Sequence, residues 1–181
     1  RDEKLPLLRD PDSSYYLRQE KDGLLLGPYE KNCRAHWIDN SDPMPEDFSF
    51  PLYHDDLERL EWYIEDACTR VPLLGTGGIT RVVNGPIPYT PDGLPLIGQM
   101  PGVPNAFEAC VFTFGIVQAG GAGKLLSEII VEGEAETDSW AVDPRRFTDH
   151  VDQAYTTAKA IETYSHEYAM HFPQIQWPAG R

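Results

Sequence analysis

The sequence predicts an α+β fold, and three of its features carry that expectation. Two short apolar runs flank the turn-forming pair Lys21-Asp22, the pattern of a β-hairpin. From Asp55 onward, apolar residues recur at the three-and-four spacing of an amphipathic helix. Further on, a strand-like run leads through a glycine-rich segment straight into an apolar helix.

Taken in order, Ser14 to Glu20 and Gly23 to Gly27 are the hairpin strands, with Pro28 ending the second. Lys31 to Tyr53 is polar and contains proline, with Trp37, Phe48 and Phe50 as scattered anchors, and reads as a long surface excursion. Leu57, Leu60, Ile64, Ala67, Cys68 and Val71 then define a helix that stops before Pro72. Asp55 and Asp56 sit at its start, where the macrodipole favours negative charge. Gly75 to Gly78 reads as a turn, Ile79 to Val83 as a strand and Ala106 to Thr113 as another. A helix from about Gly121 to Val131 follows and is broken by Gly133. Val151, Ala154, Ala158, Ile161 and Tyr164 give Thr148 to Tyr168 a mostly helical spacing.

Composition narrows the function classes. With 181 residues and 41% apolar content, the chain is large enough to bury a core in one or two domains. A formal charge of −14 disfavours nucleic acid and anionic membranes as partners, because both demand a basic face. No apolar run approaches the roughly 20 residues of a membrane span, so a soluble chain is expected. Cys33, Cys68 and Cys110 are odd in number and widely spaced, which supports neither a disulfide framework nor a zinc site. No metal is expected, and Cys110 reads as a buried strand residue. His36, His54, His150, His166 and His171 show no ligand pairing and read as structural or exposed.

The candidate chemistry lies in Tyr89-Thr90-Pro91-Asp92-Gly93-Leu94-Pro95-Leu96-Ile97-Gly98 and in the stretch from Phe112 to Lys124. A Walker A loop fails on spacing, since Gly123-Lys124 has Gln118 five positions earlier and Leu125 after it. A Gly-x-Gly-x-x-Gly dinucleotide fingerprint fails too, because Gly121-Ala122-Gly123-Lys124-Leu125-Leu126 lacks the third glycine. Two readings stay open for these glycines. Either they let a helix pack closely on a sheet, or they bring backbone amides and a helix N-terminus to a ligand carrying negative charge. Asp92 is likewise either a turn residue before Gly93 or a ligand contact, and Thr90 ranks with it.

These segments resemble the closing part of the FAD domain in the D-amino-acid oxidase superfamily. The likeness is strongest to its dimethylglycine and sarcosine dehydrogenase branch. It is carried by Val83-Asn84-Gly85-Pro86, Tyr89-Thr90-Pro91-Asp92, Gly120-Gly121-Ala122-Gly123-Lys124 and Val142-Asp143-Pro144-Arg145-Arg146-Phe147. Upstream, Tyr15-Tyr16-Leu17-Arg18-Gln19-Glu20, Asp22-Gly23-Leu24-Leu25 and Gly27-Pro28-Tyr29-Glu30 are similar to its substrate-domain strands. The resemblance implies residues 1–78 as a substrate-domain portion, 79–147 as the closing portion of the FAD domain, and 148–181 as a helical linker towards a folate-binding domain. The N-terminal dinucleotide fingerprint is absent, so the chain reads as an internal piece of a longer enzyme.

What the family implies for function follows residue by residue. FAD is the implied cofactor, with tetrahydrofolate bound outside this chain, and the substrate is a small N-methyl amino acid. The remainder of the FAD domain and a folate-binding domain are the implied partners, in a mitochondrial matrix or a bacterial cytoplasm. Phe114, Gly115, Ile116, Val117, Gln118 and Ala119 would lie against the pyrimidine edge of the flavin, where backbone amides stabilise the charge that develops on reduction. Gln118 is a side-chain contact or a solvent-facing residue. Tyr16 would face the flavin and orient the amine, with Tyr15 on the opposite face of its strand. Arg18 would meet a carboxylate or form a surface salt bridge. Ile87 stands where related oxidases place an arginine for the substrate carboxylate, so carboxylate recognition must differ or come from the part of the enzyme outside this chain. The runner-up is a catalytically silent relative, such as the regulatory subunit of pyruvate dehydrogenase phosphatase.

Overall fold

The computed structural model describes residues 4–31, 33–149 and 151–168. They fall into two compact units, one within Arg1–Pro86 that also takes in residues 164–168, and one within Ile87–Thr163. His150 and His171 lie outside the described residues.

In the first unit, β1 (Leu8–Asp10), β2 (Tyr15–Glu20) and β3 (Gly23–Pro28) form an antiparallel sheet in the order β1-β2-β3. Glu20 pairs with Gly23 across the two-residue loop, and Lys21 takes the positive φ of 53° that a primed hairpin turn needs at its first central residue. β3 runs one residue further than predicted, to Pro28, which an edge strand tolerates because its missing N–H costs no ladder bond there. The period of two in β2 sends Tyr15 and Leu17 to one face. There they meet Tyr63 and Ala67 of α1 (Glu61–Arg70) to form the core, and Tyr15 is wholly buried. The Tyr15 hydroxyl lies 3.1 Å from Asp66 Oδ2. Burial above all, and then this hydrogen bond, push its ionisation up to about 12.

Three expectations for this unit need correction. The helix begins at Glu61 rather than near Asp55, because a 3-10 turn (Glu58–Leu60) precedes it and the Asp56 carboxylate accepts the Arg59 amide at 3.3 Å. A second 3-10 turn, Pro72–Thr76, occupies the start of the predicted Gly75 to Gly78 turn. Ile79 to Val83 forms no strand. A strand needs a neighbour for its ladder, and no described residue pairs with this segment, which is instead tied at its end by Asn84. The Asn84 carbonyl accepts the Tyr53 amide at 2.7 Å, and its side chain bridges the His54 carbonyl and Arg59.

In the second unit, β4 (Leu96–Gln99) and β5 (Phe107–Cys110) make an antiparallel hairpin, on which α2 (Gly115–Glu132) packs. β5 is shorter than predicted. Val111 adopts a left-handed φ of 58°, a conformation that a β-branched residue reaches only when its surroundings impose it, and pairing stops there. α2 ends at Gly133, whose φ of 86° is the left-handed helix terminator the sequence predicts. Cys110 is half-buried at the strand end rather than buried, with Sγ 3.4 Å from Glu108 Oε2. α3 (Gln153–Ser165) starts where Asp152 accepts the Tyr155 amide at 2.8 Å, later than the predicted Thr148.

Candidate functional site

The structure places the sequence-predicted site residues in two settings, one in each unit. The first is the face of β2 that carries Tyr16, opposite the core. Cross-strand pairing sets Arg9 of β1 and Gly27 of β3 on either side of Tyr16. The absence of a side chain at Gly27 has a direct consequence. A methyl group there would lie 2.2 Å from Tyr16 Cε1 and Cζ and 2.5 Å from its hydroxyl, so the phenol ring lies across the neighbouring strand in space that only glycine leaves. Beyond it stand Tyr168, with ring centroid 6.0 Å away and nearly perpendicular, and Tyr29, whose centroid is 4.7 Å from that of Tyr168. Among the described residues, no hydrogen bond engages the Tyr16 hydroxyl. Arg18, on the same face, is held by Glu20 at 2.5 Å in an exposed ion pair, the second of its two predicted readings.

Polar groups brace the edges of this unit. Buried Asp10 meets Arg70 Nη2 at 2.7 Å and also accepts the amides of Asp12 and Ser13. Buried Glu30 lies between Arg59, at 3.4 Å, and the Tyr164 hydroxyl, which donates to it.

The second setting is the start of α2. The helix begins at Gly115, six residues before the predicted start, so the expected loop from Phe114 to Ala119 is largely the first turn of the helix. This changes which amides are free. The Gln118 amide is spent on the Phe114 carbonyl at 3.1 Å, whereas helix geometry leaves the N–H groups of Gly115, Ile116 and Val117 without intrahelical acceptors. Phe114 supplies no side-chain cap, so the positive end of the helix stays uncovered. Ile116 is 96% exposed and Val117 81%, an apolar first turn that would gain by being covered. Gln118 is half-buried, and its Oε1 is buried without a hydrogen-bond donor. Side chains added at Gly120, Gly121 or Gly123 would meet nothing within 4 Å, so these glycines do not serve packing inside the unit.

Asp92 has a defined structural task. Its carboxylate accepts the Leu94 amide at 3.0 Å and closes the turn before β4, where Gly93 has a φ of 75°. The buried Thr90 hydroxyl sits 2.9 Å from Asp92 Oδ1 and 2.7 Å from the Leu94 carbonyl. Arg146 then grips both Asp92 oxygens, Nε at 2.7 Å and Nη2 at 3.0 Å, and donates further to the carbonyls of Leu94 and Asp143. Thus two motifs singled out separately in the sequence, Thr90-Pro91-Asp92 and Asp143-Pro144-Arg145-Arg146, form one clamp. Asp143 is itself held by Arg145, with Nη2 to Oδ2 at 2.6 Å. Thr113 reaches from just before α2 to the Pro88 carbonyl at 3.1 Å, which ties the helix start to the same segment.

Burial alone would raise the Asp92 pKa, but hydrogen bonds from Arg146, Leu94 and Thr90 outweigh it and hold the carboxyl below its usual range. With the folded value depressed, its stabilising contribution is full above the unfolded value near ~3.9 and is lost as pH falls through the folded value. In denaturant titrations, the stability advantage of wild type over Asp92→Asn should therefore be constant from pH 7 to about 5 and shrink below about pH 4. An advantage that persists undiminished at the lowest pH would show that the charge of Asp92 contributes nothing.

Among the described residues, no group of three or more His, Cys, Asp or Glu side chains could hold a metal ion, and no helix is long and apolar enough to cross a membrane.

Comparison with known proteins bears on both settings. A family model described as FAD dependent oxidoreductase matches residues 1–129, and one described as FAD dependent oxidoreductase central domain matches residues 132–181. The chain is 43% identical, over 98% of its length, to mitochondrial dimethylglycine dehydrogenase of Homo sapiens, and covers 21% of that protein. To mitochondrial sarcosine dehydrogenase of Mus musculus it is 37% identical over 99% of its length, covering 19%. To the mitochondrial pyruvate dehydrogenase phosphatase regulatory subunit of Mus musculus it is 27% identical over 97%, covering 20%. The chain thus spans about one fifth of the length of these relatives.

Proposed function

Because the chain belongs to the FAD dependent oxidoreductase family, we propose that the full-length protein oxidises an N-methyl amino acid, dimethylglycine or a close analogue. The observation that carries this reading is the 43% identity to a dimethylglycine dehydrogenase across nearly the whole chain. The regulatory-subunit reading rests on a much lower identity, and no feature of the structure favours it. In this reading residues 1–78 belong to the substrate domain, 79–147 to the FAD domain and 148–181 lead towards a folate-binding domain. Transfer of the one-carbon unit to tetrahydrofolate would occur outside this chain. A mitochondrial matrix or bacterial cytoplasm is the compartment proposed with it, in keeping with relatives named as mitochondrial.

The second unit has features that fit FAD. The free amides of Gly115, Ile116 and Val117 and the uncapped positive end of α2 would hold the electron-rich edge of the ring system, with Phe114, Ala119 and the unpaired Gln118 Oε1 alongside. Asp92 would act by keeping the turn before β4 in place. When bound, FAD supplies the acceptor for the hydride equivalent leaving the substrate carbon. In the first unit, Tyr16 would use its unengaged hydroxyl to hydrogen-bond the substrate and fix the amine in its reactive orientation.

Visible absorbance of the full-length protein, followed by anaerobic addition of dimethylglycine or sarcosine, tests the proposal. Flavin bands bleached by either substrate support it; a colourless protein, or bands that neither bleaches, would overturn it. The glycines of α2 give a sharper check. Valine at Gly120 or Gly121 meets open space here and should change folding stability by no more than about 0.5 kcal/mol. In the full-length enzyme the same substitution should impair flavin retention, read as the flavin-to-protein absorbance ratio. Wild-type flavin content and reduction rate in the variant would remove this helix face from the cofactor site.

A further inference from the structure

We propose that Arg9 binds the carboxylate of the substrate. The inference rests on the reading that the Tyr16 face of β2 is the substrate face, and it supplies the cation missing where Ile87 stands.

Arg9 pairs directly with Tyr16 across β1 and β2, and directly paired residues of antiparallel strands project to the same side of the sheet. Leu8 and Asp10, on either side of Arg9, turn instead towards the buried face. The Arg9 guanidinium stands over the Tyr168 ring, 4.1 Å from its centroid, while the Tyr16 ring meets the same tyrosine edge-on. Phenol and guanidinium therefore flank one aromatic ring. Among the described residues, a single hydrogen bond, from Nη2 to the Glu167 carbonyl at 3.2 Å, fixes the guanidinium, and none of its donors reaches a carboxylate. This chain has 29 acidic side chains to 15 lysines and arginines, so an arginine held in place by an aromatic ring and a carbonyl, yet without an acid, is notable. Its neighbour Arg18 on the same face is already paired with Glu20 and offers no such vacancy.

The chemistry matches the substrate. An amino acid carrying a methylated nitrogen presents a carboxylate two bonds from that nitrogen. A planar fork of N–H donors suits the carboxylate, while a phenol oxygen suits the nitrogen. A stacked guanidinium is pre-organised, so little rotamer freedom is lost when the carboxylate arrives.

The experiment uses the full-length enzyme, with Arg9→Met, Arg9→Lys and Tyr16→Phe compared by anaerobic stopped-flow reduction across dimethylglycine concentrations. Arg9→Met should raise the half-saturating concentration by about 10- to 100-fold, the value of a lost charge-assisted hydrogen bond, while the limiting reduction rate at saturation stays within a few-fold of wild type. Arg9→Lys keeps the charge without the fork and should fall between the two. Tyr16→Phe should show the opposite split, slowing the limiting rate with less effect on half-saturation. A half-saturating concentration within twofold of wild type in both Arg9 variants, with Tyr16→Phe slow, overturns the Arg9 assignment alone. Wild-type behaviour in all three variants overturns the substrate face with it. Loss of bound flavin or of the limiting rate in Arg9→Lys as well as Arg9→Met would mark Arg9 as structural and overturn the assignment.

Discussion

Replacing Arg146 by leucine should lower the stability of the second unit by about 2 kcal/mol, because it removes a nearly buried guanidinium that satisfies the partly exposed Asp92 carboxylate and two backbone carbonyls. The Arg146 side chain is only 7% exposed, and it serves four acceptors from two parts of the chain at once. Breaking one partner of such a pair is costly because the desolvation already spent on the other is no longer offset. Asp92→Asn keeps a side-chain acceptor for the Leu94 amide and should cost less, about 1 kcal/mol. Urea unfolding followed by circular dichroism measures both. A cost below about 1 kcal/mol for Arg146→Leu would mean that the turn is held by its local hydrogen bonds alone.

The second large effect is expected at Tyr16 and Gly27. If the Tyr16 hydroxyl orients the amine, Tyr16→Phe should slow anaerobic flavin reduction by roughly tenfold or somewhat more, the worth of one hydrogen bond. Gly27→Val should do as much damage without touching the phenol chemically, because the ring must leave the space across β3 that glycine gives it. Tyr15→Phe is the control. It removes the 3.1 Å bond to Asp66 on the opposite face and should change stability but not the reduction rate. Stopped-flow reduction with dimethylglycine separates these outcomes. Equal rates for wild type, Tyr16→Phe and Gly27→Val would leave Tyr16 as a packing residue.

Local pattern determined a good deal of this protein. Alternation in Tyr15-Tyr16-Leu17 assigns the two faces of β2 before any coordinate is known, because successive strand side chains point to opposite sides whatever the sheet packs against. The Lys21-Asp22 turn, the break at Gly133 and the helical spacing of Ile64, Ala67 and Cys68 are legible for the same reason: each is set by backbone chemistry within a few residues. Motif resemblance pointed to the family, and the match over residues 1–129 bears that out.

Only the tertiary structure decided the features that depend on partners far away in sequence. Asp92 and Arg146 are 54 residues apart, and no local rule pairs one carboxylate with one guanidinium among the many in an acidic chain. The position of Gly27 opposite Tyr16 depends on strand register, and a slip of one residue would have set a side chain there instead. Arg9 is not legible in the sequence because the three-residue β1 is too short to show any period, so its face is known only from its pairing with β2. The start of α2 was misplaced because the expectation rested on glycines as a turn, whereas the ladder continues through Gly120, Gly121 and Gly123. Packing of the helix on β4 and β5 offsets their propensity cost of about 1 kcal/mol each. Ile79 to Val83 has the composition of a strand, yet a strand is a property of two segments, and composition describes one.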